Sequence, residues 1–263
     1  YTGNGTTDTG ITGVGFQPDF TWIKSRNNGS NNNHMLFDAV RGATKYIKSD
    51  QNSSQNTLAE TLKTFDSDGF TVGTQGDVNQ NSINFVSWNW KAGGGQGSSN
   101  TDGSINTTYT SVNTTAGFSI SQYTGTGSDA TVGHGLGVTP KIVFFKRLDS
   151  SANWVVQTPL LGNKVQLVLN DTTAGNTDSR LGASDNWSNQ VFTVGTYGDM
   201  NGNGGTYVAY AFAEKKGYSK FGKYTGNGNA DGSFIYTGFK PGWVLWKKSS
   251  DTAGWYLLDT VRE

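Results

Sequence analysis

The chain has 263 residues, with 20 basic and 20 acidic side chains, so its formal net charge is zero. This balance leaves no basic field to attract nucleic acid or an anionic membrane, and no run of 18 apolar residues predicts a membrane-spanning segment. Cysteine is absent, which excludes a disulfide framework and a thiolate metal site.

Glycine fills 37 positions and aromatic residues 13% of the chain, which favours short strands, tight turns and aromatic cores over disorder. The first predicted strand follows Pro18 and covers Phe20 to Lys24, and Tyr46 to Lys48 is a second. Only residues 56–63 have helical spacing, enough for one or two turns. From Ser82 to Lys91 polarity alternates, so one side of a strand carries Val86, Trp88 and Trp90, and the other Phe85, Ser87 and Asn89.

Residues 94–117 are predicted to connect two copies of one unit. Their first part, residues 94–104, is rich in Gly and Ser and is typical of a flexible linker, while Phe118 to Ile120 leads into the second copy. One register over about 90 residues identifies a repeat. An offset of 122 links Tyr1-Thr-Gly-Asn-Gly to Tyr123-Thr-Gly-Thr-Gly, Pro18 to Pro140, Lys24 to Lys146, and Phe70-Thr-Val-Gly-Thr to Phe192-Thr-Val-Gly-Thr.

A third copy begins at Tyr224-Thr-Gly-Asn-Gly, at an offset of 101 from the second. It is predicted to be incomplete, because Leu258-Asp-Thr-Val-Arg262-Glu263 matches Phe37-Asp-Ala-Val-Arg41-Gly42 early in the first copy. The strand equivalent to Phe20 to Lys24 recurs as Ile142 to Arg147 and Trp243 to Lys247. The predicted organisation is a first repeat at 1–93, a connector at 94–117, a second repeat at 118–216 and an incomplete third at 217–263.

Several strands per unit, without helices for parallel crossovers, predict an all-β protein whose antiparallel sheets pack as a sandwich. Residues 1–93 and 123–215 are expected to share one fold. In that register Thr206 to Ala213 is the strand equivalent to Phe85 to Lys91, and Val165 to Leu169 is a further strand of the second copy.

One motif has the spacing of a cation-binding loop. Asp199, Asn201 and Asn203 place short oxygen ligands at alternate positions, as Ca²⁺ requires. The twelfth position, however, is Tyr210 instead of a bidentate Glu. Asx and Gly residues between two strands also form ordinary hairpin turns, and this interpretation is favoured. The sequence therefore predicts no cofactor, with Ca²⁺ as the less favoured alternative.

The sequence offers little for catalysis. Its three Glu residues are too scattered to form a carboxylate pair. Asp38 and Asp259 are equivalent and close to Arg41 and Arg262, which favours ion pairs or turn caps. The two histidines, His34 and His134, are not shared between copies, and no nucleophile elbow accompanies them. We therefore predict a protein that is not an enzyme.

Aromatic side chains are the remaining candidates for binding. Trp154 and Trp187 lie in polar loops, and Trp rings stack on sugar faces. The favoured alternative is that both rings pack under their loops, and the equivalence of Trp154 with Trp255 favours a shared structural role. The speculative glycan site consists of Trp154, Trp187, Asn153, Asp185, Asn186 and Asn189.

Several of these motifs, taken in order, resemble a tandem repeat domain of unknown function. That domain is found in virion structural and tail-fibre-like proteins of marine, cyanophage-like bacteriophages. The resemblance covers nearly the whole chain, and it implies a jelly-roll or concanavalin-like sandwich on a virus surface, without known catalytic residues. The motifs are Gly15 to Arg26, Leu36 to Gly42, Asp68 to Gly73, Phe85 to Gly93, Thr114 to Ile120, Gly133 to Pro140 and Phe221 to Gly228.

These observations predict a phage surface or tail-fibre-type structural and adhesion protein, located at the virion surface or outside the cell. The alternatives are a secreted bacterial adhesin or surface-fibre protein and, third, a glycan-degrading enzyme. The expected partners are further copies of the chain, in a homo-oligomer that is a trimer if it belongs to a fibre, other virion proteins and a host surface glycan. No leader of the secretory type, no nucleic-acid partner and no membrane insertion are expected.

Overall fold

The computed structural model describes residues 1–27 and 32–261, and it is an antiparallel all-β structure. Every pairing between named strands is antiparallel, so the predicted fold class is confirmed at this level. Within the described residues, no helix has the length and apolar character needed to cross a membrane. We call residues 1–93, 118–216 and 217–263 the first, second and third segments.

The first segment contains eight strands and one helical turn. They are β1 (Thr9–Thr12), β2 (Phe20–Ser25), β3 (Met35–Asp38), β4 (Lys45–Lys48), β5 (Asn56–Thr57), β6 (Leu62–Asp66), β7 (Gly69–Val72), α1 (Gly76–Asn79) and β8 (Phe85–Trp90). A five-stranded sheet has the order β5-β4-β3-β2-β8, and a three-stranded sheet has the order β1-β7-β6.

The second segment repeats this order of elements. After β9 (Tyr109–Asn113) come β10 (Phe118–Thr124), β11 (Ala130–Gly133), β12 (Ile142–Arg147), β13 (Val155–Gln157), β14 (Val165–Val168), β15 (Asn176–Thr177), β16 (Val191–Val194), α2 (Gly198–Asn201) and β17 (Thr206–Phe212). The order β15-β14-β13-β12-β17 matches that of the first large sheet, and β10 and β9 extend it to seven strands. The small outer sheet here is the pair β11-β16.

The third segment contributes one hairpin, formed by β18 (Trp243–Lys247) and β19 (Trp255–Asp259). Trp243 lies opposite Asp259, as Phe20 lies opposite Asp38 in β2 and β3. The strands predicted after Pro18, Pro140 and Pro241 are therefore confirmed.

Alternating side chains divide each large sheet between two cores. On β2, Trp22 faces a core shared by the first and second segments, whereas Ile23 faces an outer core covered by the three-stranded sheet. The predicted two faces of the strand around Trp88 are confirmed, because Trp88 lies in the shared core and Phe85 in the outer one. The second segment has its own outer core, between the seven-stranded sheet and the β11-β16 pair.

The helix predicted at residues 56–63 is wrong. Its residues form β5, a turn and the start of β6, in which Leu62 pairs with Val72 and is fully buried. A helix of about eight residues is marginal in water, so burial of Leu62 in the outer core decides the conformation. Conversely, the Asx-rich segments expected to be hairpin turns form the single helical turns α1 and α2.

The connector expected to be flexible is held to the body by hydrogen bonds. Asp19, which is fully buried, accepts from the backbone N–H groups of Ala92, Gly94 and Gly95 at 2.7–2.9 Å. Ser98 then forms a β-bridge with Thr110. Glycine content in residues 94–104 therefore reflects close backbone contacts as well as turns.

Candidate functional site

The two rings proposed for glycan binding are buried in different cores. Trp154 is 1% exposed in the shared core, and Trp187 is 7% exposed in the outer core of the second segment. These cores lie on opposite faces of the seven-stranded sheet, so the structure does not bring the rings together. Neither ring offers a face for a sugar, which supports the alternative that both pack under their loops.

The polar residues proposed with these rings are also divided. Asn153 belongs to an internal network, in which its Oδ1 accepts from Asn170 Nδ2 at 2.9 Å. Asp185 and Asn186 lie in a 3-10 turn and, like Asn189, are exposed. The Trp187 ring between them points into the core, so these three residues lack the aromatic platform on which the prediction depended.

The calcium-type motif has a different role in the described structure. Asn201 is fully buried, and its Nδ2 donates to the carbonyls of Ser128 and Gly195, at 2.7 Å each. Its Oδ1 accepts from the N–H of Thr126 at 2.8 Å. The Asn201 amide therefore fixes α2 to the loop between β10 and β11, and Asn79 fixes α1 in the same way to the loop that precedes β1.

Asp199 and Asn203 are the other two residues of the predicted calcium-type motif. Asp199 Oδ2 accepts from the Asn153 N–H at 3.3 Å, and burial raises the Asp199 pKa. Residues 1–27 and 32–261 contain no cluster of three or more His, Cys, Asp or Glu with metal-binding geometry. Of the three residues of the motif, Asn201 and Asp199 thus take part in protein hydrogen bonds, whereas Asn203 is exposed.

The residues considered for catalysis have structural partners. His134 is buried; its Nδ1 accepts from the Leu136 N–H at 3.1 Å, and its Nε2 lies 3.3 Å from the Ser188 carbonyl. Asp38 forms a buried ion pair with Arg41 and accepts from the Tyr210 hydroxyl at 2.6 Å. The predicted ion pair of Asp38 is therefore present, while Arg262 lies outside the described residues.

A cleft of about 230 Å³ lies where the three segments meet. Its position was not predicted, because it combines residues far apart in the sequence. The wall contains two indole rings, an imidazole, two carboxylates and several amide or hydroxyl groups. They are Trp22, His34, Ser49 and Asp50 from the first segment, Leu169, Asn170, Asp171 and Thr172 from the second, and Leu245, Gly254, Trp255 and Leu257 from the third.

Hydrogen bonds fix the first-segment wall of the cleft. Trp22 Nε1 donates to His34 Nδ1 at 2.9 Å, and the His34 N–H donates to Asp50 Oδ1 at 3.2 Å. Because His34 Nδ1 accepts a hydrogen bond, the neutral ring carries its proton on Nε2. Trp22 and His34 also contact edge to face, with ring centroids 5.7 Å apart. The imidazole is therefore held in one orientation beside the cleft.

The two carboxylates of the cleft differ in their electrostatic environment. Neighbouring protein atoms partly desolvate the Asp50 carboxyl group and raise its pKa, although the residue is exposed at the rim of the cleft. Hydrogen bonds from Thr173 lower the pKa of Asp171, which is also exposed. Both carboxyl groups lie at a rim beside aromatic rings, where they can accept hydrogen bonds from a polyhydroxylated ligand.

One sequence signal could have indicated this cleft. When the segments are aligned on Asp38 and Asp259, His34 occupies the position of Trp154 and Trp255. The first segment thus has a polar ring where the others have an indole. Trp22 is only 6% exposed, yet it lines the cleft.

Comparison with known proteins gives one match. A family model described as a domain of unknown function, DUF7483, matches residues 1–263. No curated protein and no solved structure matches the chain.

Proposed function

The chain belongs over its whole length to the DUF7483 family, and we propose that it is a non-enzymatic surface module combining spacer and adhesion roles. Its site of action is the exterior of a bacteriophage particle, in a tail-fibre-type or other surface protein. The resemblance of its motifs to repeats of marine phage virion proteins supports this location. The similar order of strands in the first and second segments supports the spacer role.

The observation that carries the adhesion role is the cleft between the segments. An oriented imidazole, exposed carboxylates and amide or hydroxyl groups can form hydrogen bonds with the hydroxyls of a sugar ring, and the indole rings beside them supply apolar contact. Its volume of about 230 Å³ lies below the roughly 300–1,000 Å³ of sites for drug-sized ligands. We therefore assign it to one terminal sugar residue of a host glycan.

The zero net charge is consistent with this kind of recognition. A neutral surface provides no long-range attraction, so contact must be made by groups that meet at short range. Neutral or weakly charged glycans fit this surface better than a polyanion does. Close contacts with one sugar give weak affinity per site, and repeated display on a particle would raise the overall avidity.

The test uses residues at the rim of the cleft, where substitution leaves the cores intact. We expect Asp50→Asn with Asp171→Asn to weaken retention on an array of neutral and acidic glycans by about tenfold, which is roughly 1.4 kcal/mol. Asp129→Asn is the matched control, because Asp129 is an exposed aspartate of the second segment that does not line the cleft.

The melting temperature of each variant is measured alongside its binding. Loss of retention in the double variant alone, at an unchanged melting temperature, supports the cleft as the binding site. Equal retention by all three proteins contradicts this assignment, and the absence of any retained glycan contradicts the adhesion role.

A glycan-degrading enzyme is the third candidate, after a secreted bacterial adhesin, and the observation that favours it is the presence of two carboxyl groups, Asp50 and Asp171, in the cleft. Glycosidases use a pair of carboxyl groups as acid and base. Incubation with each retained polysaccharide distinguishes the two proposals. New reducing ends that disappear in Asp50→Asn would establish hydrolysis, whereas an intact polysaccharide favours adhesion.

The location and the homo-oligomer are tested separately. We expect mass spectrometry of purified virions to detect the chain, whereas a secreted bacterial adhesin would be found in virion-free medium. We also propose a trimer, by analogy with fibres. Sedimentation equilibrium at micromolar concentration decides this, and a stable monomer contradicts it.

A further inference from the structure

The junction between the second and first segments recurs between the third and second. Trp154 Nε1 donates to the carbonyl of Lys48 at 2.8 Å. Trp255 Nε1 donates to the carbonyl of Val168 at the same distance. Lys48 and Val168 are the last residues of β4 and β14, so the two acceptors occupy equivalent positions.

Hydrogen bonds from lysine side chains are also equivalent at these two junctions. Lys146 Nζ donates to the carbonyls of Asn52 and Ala152, at 3.1 and 2.7 Å. Lys247 Nζ donates to those of Thr172 and Ala253, at 2.9 and 2.6 Å. In each pair one acceptor belongs to the lysine's own segment and the other to the preceding segment. The third segment therefore sits on the second as the second sits on the first.

A different hydrogen bond connects the first segment to the third. The Tyr210 hydroxyl of the second segment donates to Asp38 of the first at 2.6 Å. At the equivalent positions, Trp88 Nε1 of the first segment donates to Asp259 of the third at 3.1 Å. Equivalent contacts thus run from second to first, from first to third and from third to second, which describes a ring around a pseudo-threefold axis.

Of the third segment, the described strands in this ring are β18 and β19, and one face of this hairpin is uncovered. The outward face of the β18–β19 hairpin is exposed, with Val244 at 40%, Tyr256 at 53% and Leu258 at 56%. Trp246 stacks on Tyr256 on this face, with ring centroids 5.6 Å apart. The equivalent positions in the other two hairpins are all 0% exposed: Thr21, Ile23, Met35, Phe37, Val143, Phe145, Val155 and Gln157.

In both complete segments, strands of the same segment cover this face. β7 pairs with β1, and β16 pairs with β11, to form the outer sheets. Residues 232–235 correspond to β1 but are not assigned to a strand, and Phe234 is 88% exposed. No strand in the described part of the chain pairs with them.

We propose that the outward face of the β18–β19 hairpin is a docking face for the remaining strands of a repeat unit, which cover the hairpin and close the ring. The occupant is a set of strands equivalent to β4 through β8, because those elements follow β3 in the first segment and cover it. Their second-segment counterparts, β14 through β17, follow β13 in the same order. The loop equivalent to Ser49 and Asp50 would form a third wall of the cleft.

The test appends a copy of residues 43–93 directly after Glu263, because Arg262-Glu263 corresponds to Arg41-Gly42. The chain lacks cysteine, so Tyr256→Cys reports on the exposed face through its rate of maleimide labelling. We expect the appended strands to slow this labelling by at least about tenfold, since the thiol must then wait for local opening. Ser250→Cys, in the exposed turn of the hairpin, should label at the same rate in both proteins.

A matched extension carries Asp at its copies of Phe70 and Val72, which are fully buried in the first outer core, and it should leave labelling of Tyr256→Cys fast. Unchanged labelling with the native extension overturns the proposal. Slow labelling of the 263-residue chain that accelerates on dilution also overturns it, because a second copy of the chain would then be the occupant. Neither result depends on glycan binding.

Discussion

Each segment has a lysine at the same position of the repeat, and the shared contacts of these lysines explain why that residue type recurs. Lys24, Lys146 and Lys247 each direct Nζ to a backbone carbonyl in the loop that precedes the next strand, at Asn32, Ala152 and Ala253. Burial lowers the pKa of Lys146 to about 8 and also lowers that of Lys247. An amine held by carbonyls satisfies polar backbone that the loop would otherwise bury unpaired.

His134 gives a pH-dependent prediction. Burial lowers its pKa from 6.5 to about 4, so the folded chain keeps the ring neutral while the unfolded chain protonates it. Its stabilising contribution is complete above pH 6.5 and is lost as pH falls towards 4. Relative to His134→Thr, the wild type should lose about 2 kcal/mol between about pH 7 and pH 4.5. Guanidinium unfolding at both pH values measures this difference.

Threonine is the appropriate replacement because the first segment has Thr12 at the equivalent position. Carboxylates titrate in the same range, but they are common to both proteins and cancel in the comparison. A difference between the proteins that is constant with pH would show that His134 does not titrate in this way.

At the scale of strands and turns, the sequence predicted the strands in which apolar and polar residues alternate. Val86, Trp88 and Trp90 identified both β8 and the side facing the shared core. The pattern could not show that this side meets another segment, because a sheet face is apolar whichever partner covers it. Leu62 was assigned to a helix for a related reason, since two apolar residues four apart fit a short helix and a strand equally well.

The connector gives an element-scale prediction. Gly97 has φ +78°, and a Cβ there would lie 2.0 Å from the carbonyl oxygen of Thr110. Gly94 has φ +83° but has nothing within 4 Å of such a Cβ. Both Ala variants experience backbone strain, and Gly97→Ala adds a clash with the paired strand. We expect Gly97→Ala to cost about 1–3 kcal/mol more in unfolding free energy than Gly94→Ala.

Denaturant unfolding of the two variants tests whether this segment is a fixed part of the sheet. Equal losses of stability would indicate that residues 94–104 can move away from Thr110. The sequence could not distinguish these cases, because Gly-rich composition is shared by flexible linkers and by backbone that must approach a neighbour closely.

At the scale of the whole molecule, the cleft and the ring depend on relations between segments that no local pattern contains. The sequence did predict a shared structural role for Trp154 and Trp255, and their identical hydrogen bonds confirm it. It did not predict which carbonyls they reach, because Lys48 and Val168 contribute backbone atoms only. The favoured prediction that the Trp154 ring is packed away from solvent is confirmed, but the surface that covers it belongs to another segment, which the sequence did not show.

The shared core predicts energetic coupling between segments. Phe20 in the first segment and Phe118 in the second have ring centroids 6.0 Å apart in that core. A double-mutant cycle of Phe20→Leu and Phe118→Leu should give a coupling of about 0.5–1.5 kcal/mol, because each substitution removes the ring that the other contacts. Phe70 and Phe192 are the matched control pair, since they are equivalent and fully buried but lie in separate outer cores. Their substitutions to Leu should add within about 0.5 kcal/mol. Additive losses for the first pair, measured by the same unfolding experiment, would mean that the two large sheets fold as independent bodies and only touch.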